Sequence, residues 1–278
     1  MAKVIIEPGT KNANYWKDLW NYRGLFYFLS WRDVLVRYKQ AVIGILWSVL
    51  RPLITIVVFT VIFNKLGNFH ADGAVPYAIM ICAGMLPWQF FSNAFSESSN
   101  SLIVNSNLLT KVYFPRLIVP ASSVIVSLID FFISFMILLF LFVFYQYVPT
   151  WKMLFLPLFL LLACITAMGS GLFVAALNVK YRDFRYIIPF VVQFGFFICP
   201  IGYSSNVVFD KPWPMAVKYL YWLNPMVGII DGFRWSILGT ETNLFLPGFI
   251  LSVTVSLFLL IFGVWYFRKT ERTFADVI

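Results

Sequence analysis

Residues 117–144 read LIVPASSVIVSLIDFFISFMILLFLFVF. A helix rises about 1.5 Å per residue, so this run spans a bilayer core of about 30 Å with slack for a tilt. Its only ionisable residue is Asp130. Five more apolar stretches flank it, at 44–63, 77–95, 154–177, 186–203 and 246–267. The stretch at 186–203 is the shortest, and Pro189 and Pro200 interrupt it. A broken helix is expected there, and such backbone must be covered by protein or line a wet cavity.

The periodicity therefore predicts an all-α integral membrane protein. It has six transmembrane helices, an N-terminal amphipathic interfacial helix, and short re-entrant or outer helices between spans five and six. One domain covers 1–278: a cytoplasmic and interfacial region at 1–43, the six-span region at 44–267, and a tail at 268–278.

Composition agrees. Of 278 residues, 61% are apolar, 20% aromatic and 12% charged, with a mean hydropathy of +0.83. Soluble domains carry about 25% charged residues. This deficit excludes a soluble globular protein, a disordered chain and a free-standing nucleic-acid-binding domain. Net charge is +9. With both termini placed inside, 16 of the 21 Lys and Arg fall in inside segments and 5 in outside ones. That asymmetry sets a multi-pass orientation with both termini cytoplasmic and anionic lipid as a neighbour. The first 40 residues lack the short apolar core of a signal peptide. Cys82, Cys164 and Cys199 lie singly in apolar runs and read as unpaired thiols.

Two segments outside the spans have character of their own. Tyr15, Leu19, Tyr22, Phe26 and Leu29 share one helical face. Two readings fit: an interfacial helix with its rings at headgroup depth, or a helix packed on a partner protein. Residues 204–245 are too apolar for a free loop, and short helices split at Asn224-Pro225 fit them better.

Catalytic equipment is missing. The one histidine, His70, lies in a short outside loop. No His/Cys cluster has metal-ligand spacing. No G-x-x-x-x-G-K-[ST] occurs, so ATP, if used, is bound by another polypeptide. Asp210, Asp231 and Glu241, the acids of 204–245, form no catalytic spacing.

Asp130 has two readings, a proton or cation relay of a secondary transporter or a structural acid bonded to a neighbouring helix. Ala163, Ala167, Gly171 and Ala175 place a small residue at every fourth position, the pattern of close helix packing, with the partner either in this chain or in a second copy. Tyr186, Phe190, Phe194 and Phe197 fall within one arc, as do Thr55, Phe59 and Phe63. Such rings pack against lipid or core, or line a conduit whose faces suit sugar C–H surfaces. Arg32, Arg37, Lys39 and Arg51 gather at the inner mouth. They anchor the chain by the positive-inside rule, and Arg37, Lys39 and Arg51 are also candidates for a lipid pyrophosphate.

Several blocks together resemble a known family. They are Arg32-Asp33, Arg37-Tyr38-Lys39, Gly44, Trp47 and Arg51-Pro52; Leu108 to Pro120 with Lys111 and Phe114-Pro115-Arg116; Asn178 and Tyr181-Arg182-Asp183; Asn224-Pro225 with Arg234; and Glu271, Phe274, Asp276. As a set they are similar to ABC-2 type permeases that export polysaccharide, O-antigen exporters above all, with capsule and teichoic-acid permeases as siblings. The resemblance implies a homodimer in the bacterial inner membrane, joined to two copies of an ATP-binding cassette subunit that carries ATP and magnesium. It implies no cofactor on this chain and a lipid-linked polysaccharide as cargo. Leu108, Lys111, Phe114 and Arg116, with Tyr181, Arg182 and Asp183, are implied to couple to that ATPase.

Overall fold

The computed structural model describes residues 15–39, 44–66, 75–209, 211–239, 244–271 and 274. His70, Asp210, Glu241, Asp276 and the Trp47 side chain lie outside the described residues. Among the described residues every regular element is a helix.

Chain order starts with α1 (Tyr15–Asn21) and α2 (Arg23–Lys39). Next comes α3 (Gly44–Phe59), which widens into a π turn at Thr60–Leu66. Then follow α4 (Tyr77–Val104), α5 (Ser106–Lys111) and α6 (Ile118–Phe144). A 3₁₀ turn, Trp151–Phe155, leads into α7 (Leu156–Lys180), and α8 is Phe184–Ile198. The short helices α9 (Asn206–Phe209), α10 (Met215–Trp222) and α11 (Pro225–Leu238) precede α12 (Leu246–Thr270).

Four of the six apolar stretches form helices long and apolar enough to cross a membrane: α4, α6, α7 with its leading turn, and α12. The other two give shorter apolar helices, Val49–Asn64 and Phe184–Ile198. Helix α8 stops where Pro200 forces Cys199 into an extended conformation (ψ 148).

The most enclosed of the four long helices is the least apolar. An 18-residue stretch of α4 is 89% buried at a mean hydropathy of 1.2, whereas one of α12 is 22% buried at 2.3. A helix facing lipid must be greasy outward, while one surrounded by protein can carry polar groups that find partners. Helix α4 also runs beyond the expected end of its span at Phe95, to Val104.

Helix α7 lies between α4 and α12, and its small residues explain the closeness. Ala163, Ala167 and Ala175 are fully buried. A Cβ on Gly171 would lie 2.7 Å from Ser98 Oγ of α4. On the other side, a Cβ on Gly263 of α12 would lie 2.1 Å from the Gly169 carbonyl oxygen. Both partner helices belong to this chain.

The apolar face of α1 and α2 is not free. Tyr15 and Leu29 are buried with Leu109, Phe114, Leu172, Phe267 and Phe274, and Leu19, Tyr22 and Phe26 pack against this cluster. A different set of rings, Trp16, Trp20, Tyr27, Phe28 and Trp31, is exposed. These helices thus have two apolar faces, and the one seen as a stripe in the sequence packs on the chain's own long helices.

Segment 204–245 is helical on both sides of Asn224-Pro225. Asn224 Oδ1 accepts from the Met226 amide at 3.1 Å, and Pro225 starts α11 where its missing N–H costs nothing. Almost every residue of α11 is buried.

Candidate functional site

A cleft of about 860 Å³ opens between α3, α4, α6 and α8. Helix α3 contributes Arg51, Thr55 and Phe59, and α8 contributes Gln193, Phe196 and Phe197. Helix α4 supplies Trp88, Gln89, Ser92, Asn93, Ser96 and Asn100. Arg37 of α2 joins Asp130 and Ser134 of α6.

One wall is aromatic. Phe59 stacks on Phe63 with ring centroids 5.1 Å apart and meets Phe196 edge-on at 5.3 Å. Non-helical backbone, Ile201 to Tyr203, covers the pair: a Cβ on Gly202 would lie 3.3 Å from Phe59. Each carbonyl of that turn has a partner. Arg234 donates to Ile201 O (2.8 Å) and Tyr203 O (2.7 Å), and Tyr77 Oη donates to Gly202 O (2.5 Å). Buried backbone outside a helix requires such bonds.

The charged part of the cleft is knit together. Arg37 Nη1 donates to Glu97 Oε1 of α4 at 2.5 Å, and its Nη2 lies 3.1 Å from Asp130 Oδ2. Tyr38 Oη donates to the other Asp130 oxygen. One arginine therefore clamps α2 to both α4 and α6. Burial alone would lower the Arg37 pKa, but the two carboxylates raise it above its ordinary value.

Of the expected channel rings, Phe59 and Phe197 line the cleft and Phe63 backs Phe59. Tyr186, Phe190 and Phe194 lie on the exposed side of α8, outside the cleft lining, with Phe190 and Phe194 4.2 Å apart. Of the basic candidates, Arg51 is exposed to the cleft, Arg37 is held by carboxylates, and Lys39 is exposed outside the lining.

The expected coupling residues divide in two. Lys111, Tyr181, Arg182 and Asp183 are exposed, and Leu108 is half-buried. Phe114 is buried. The Arg116 amide donates to Glu271 Oε1 at 2.8 Å, and its guanidinium donates to the Glu271 carbonyl. A smaller cavity of about 340 Å³ is lined by Asn178, Arg182, Asp183 and Arg185 of the second segment with Ile103 and Ser106, while Leu108, Lys111, Phe114 and Arg116 are not in its lining.

The pattern of the ABC-2 type transporter family matches residues 24–238. The chain belongs to that family. It is similar to the O-antigen export system permease protein RfbA of Myxococcus xanthus, 30% identical over 218 residues, which is 78% of this chain and 82% of the relative. A protein of the same description from Klebsiella pneumoniae is 27% identical over 255 residues, 89% and 92% of the two chains. ABC-2 membrane chains are permease subunits, not themselves catalytic, and pair with an ATP-binding subunit.

Two features of this ABC-2 chain escape the sequence reading. Glu97 lies two residues past the expected end of its span, yet it belongs to the same helix and holds Arg37. Gln89, Asn93, Ser96 and Asn100 recur at steps of four, three and four, one face of α4. That polar period was the available signal.

Proposed function

We propose that this chain is the permease of an O-antigen-type exporter, moving a polysaccharide on a polyprenyl pyrophosphate across the bacterial inner membrane. The names of its relatives, matched over most of both chains, support the cargo class. The carrying observation is the cleft, which joins Arg51 to ring faces of Phe59 and Phe197 in one space. A planar guanidinium suits the pyrophosphate, and ring faces offer a sliding polymer many weak, interchangeable contacts. Capsular polysaccharide and teichoic acid are sibling cargoes.

Two copies of this chain would assemble with two ATP-binding subunits, which bind ATP and magnesium. The short helices α3 and α8 complete six crossings, and the Lys and Arg distribution puts both termini on the cytoplasmic side. Lys111 and the exposed Tyr181-Arg182-Asp183 turn would touch the ATPase, while Phe114 and Arg116 hold that surface in place from behind. The engagement of Asp130 by Arg37 and Tyr38 favours its structural reading over a relay.

Reconstitution tests this. In liposomes the chain alone should leave lipid-linked glycan where it is, and addition of its ATP-binding partner with MgATP should move it to the opposite leaflet. Movement without the partner would overturn the proposal.

A further inference from the structure

The wall of α4 that faces the cleft is polar without being charged. Gln89 and Asn93 lie four residues apart and Ser96 three further on, rises of about 6 and 4.5 Å along one helical face. Gln193 of α8 lines the same cleft. Among the described residues, the side chains of Gln89, Asn93, Ser96 and Gln193 have no hydrogen-bonding protein partner. Their neighbour Asn100 does: it donates to Ser96 O at 2.9 Å and accepts from Asn178 at 3.1 Å. Asn100 is therefore structural, and the other four are available.

Available carboxamides beside apolar rings need an occupant that can both donate and accept. Water does so at rest. A sugar does so and also presents C–H faces to Phe59 and Phe197. The four groups carry no formal charge; of the charged residues that line the same cleft, Arg37 and Asp130 pair with each other and Arg51 has no carboxylate partner among the described residues. A neutral polymer passing them would exchange water hydrogen bonds for carboxamide ones, whereas an acidic one would gain no charge pairing from the four groups themselves.

Resting on the export reading above, we propose that Gln89, Asn93, Ser96 and Gln193 form a neutral hydrogen-bonding rail beside the rings, which fits the permease to uncharged glycan chains. The spacing of the rail is close to the length of one sugar ring, so each advance by one unit restores equivalent bonds. Hydroxyls that lose this rail stay unsatisfied at every step, so passage of a long chain is governed by these steps, whereas a cargo of two sugars takes so few of them that transfer of its lipid headgroup governs its rate.

The test uses the complete complex with its ATP-binding partner, in liposomes. Two cargoes are compared, a lipid-linked disaccharide and a long neutral lipid-linked polymer. Gln89→Leu/Asn93→Leu should slow the long polymer about tenfold, the equivalent of one or two lost hydrogen bonds, while the disaccharide stays within about twofold of wild type. Gln193→Leu, at an exposed position of α8, should show the same length dependence more weakly, and it reads out the rail even where the double variant assembles poorly. Wild-type rates for both cargoes, or equal slowing of both, would overturn the rail. A wild-type complex that moves neither cargo would instead overturn the export reading itself.

Discussion

Arg37 of α2 donates to Glu97 of α4, 60 residues away in sequence, over 2.5 Å. Its second amino nitrogen reaches Asp130 of α6. Three helices thus meet at one cation, and removing it leaves two carboxylates facing each other beside the cleft. Arg37→Ala should destabilise the detergent-solubilised protein by about 2 kcal/mol, the scale of hydrogen bonds to a charged group, since the site is only partly screened from water. Thermal unfolding against wild type checks this. An unchanged midpoint would show that the clamp contributes nothing.

Asp130→Asn separates structure from relay. Asparagine keeps an acceptor for Tyr38 but cannot carry a proton. ATP-driven export should survive at about half the wild-type rate or better, with a small loss of thermal stability. Loss of export with normal stability would restore the relay reading.

Arg51 is exposed to the cleft and has no carboxylate partner among the described residues. Arg51→Ala should lower export and substrate-stimulated ATP hydrolysis about tenfold, with assembly intact. Phe197→Ala should slow passage of polymer without loss of assembly. Normal export from Arg51→Ala would remove it from pyrophosphate recognition.

Glycines at the α7–α12 contact should tolerate nothing larger. A Cβ on Gly169 would lie 2.5 Å from backbone of Leu259 and Leu260, and one on Gly263 would meet Gly169. Gly169→Ala and Gly263→Ala should each cost about 1–3 kcal/mol through overpacking. Gly24→Ala, with nothing within 4 Å of its Cβ, should be neutral or slightly stabilising. The three unfolding midpoints, compared together, decide the matter.

Glu271, just past α12, accepts from the Arg116 amide and lies near Tyr15. Burial raises its carboxyl above the ordinary 4.5, more than its bond from the Arg116 amide and the nearby cations lower it. Burial, then the charge of Glu271, likewise raises the Tyr15 hydroxyl. A raised folded-state pKa means the native protein holds the proton more tightly than the unfolded chain. The resulting stability is complete below pH 4.5 and is lost as pH rises through the folded value. Glu271→Gln mimics the protonated form and still accepts from the Arg116 amide. It should match wild type at pH 4.5 and exceed it at neutral pH. Parallel stability curves would rule out this titration.

Some of this architecture was legible in the residues. The run at 117–144 and the run at 246–267 announce membrane helices because hydropathy is a local sum. Pro200 predicts the end of α8, and Asn224-Pro225 predicts the break before α11, because proline restricts the backbone beside it, whereas Pro189, named with Pro200 as an interruption, lies inside the continuous α8. The helix that carries the second span runs on past the expected span end at Phe95, although Ser96, Glu97 and Asn100 look like an exit into water. In the fold they continue α4, with Ser96 and Asn100 at the cleft and Glu97 bonded to Arg37. Periodicity placed Tyr186, Phe190, Phe194 and Phe197 on one arc, but among these four only Phe197 lines the cleft. How a helix is rotated about its axis depends on neighbours that the segment does not contain.

By itself, the sequence determined a membrane-embedded helical chain, its apolar stretches, its breaks and its lack of a nucleotide-phosphate loop. These follow from the transfer preference and backbone chemistry of short contiguous segments. Only the tertiary structure decided that Arg37 is spent on Glu97 and Asp130 while Arg51 faces the cleft. It also decided that the small residues of α7 meet α4 and α12 of the same chain. Ion pairs act over a few ångströms and glycine contacts over less, so both depend on the depth and rotation at which distant helices pack.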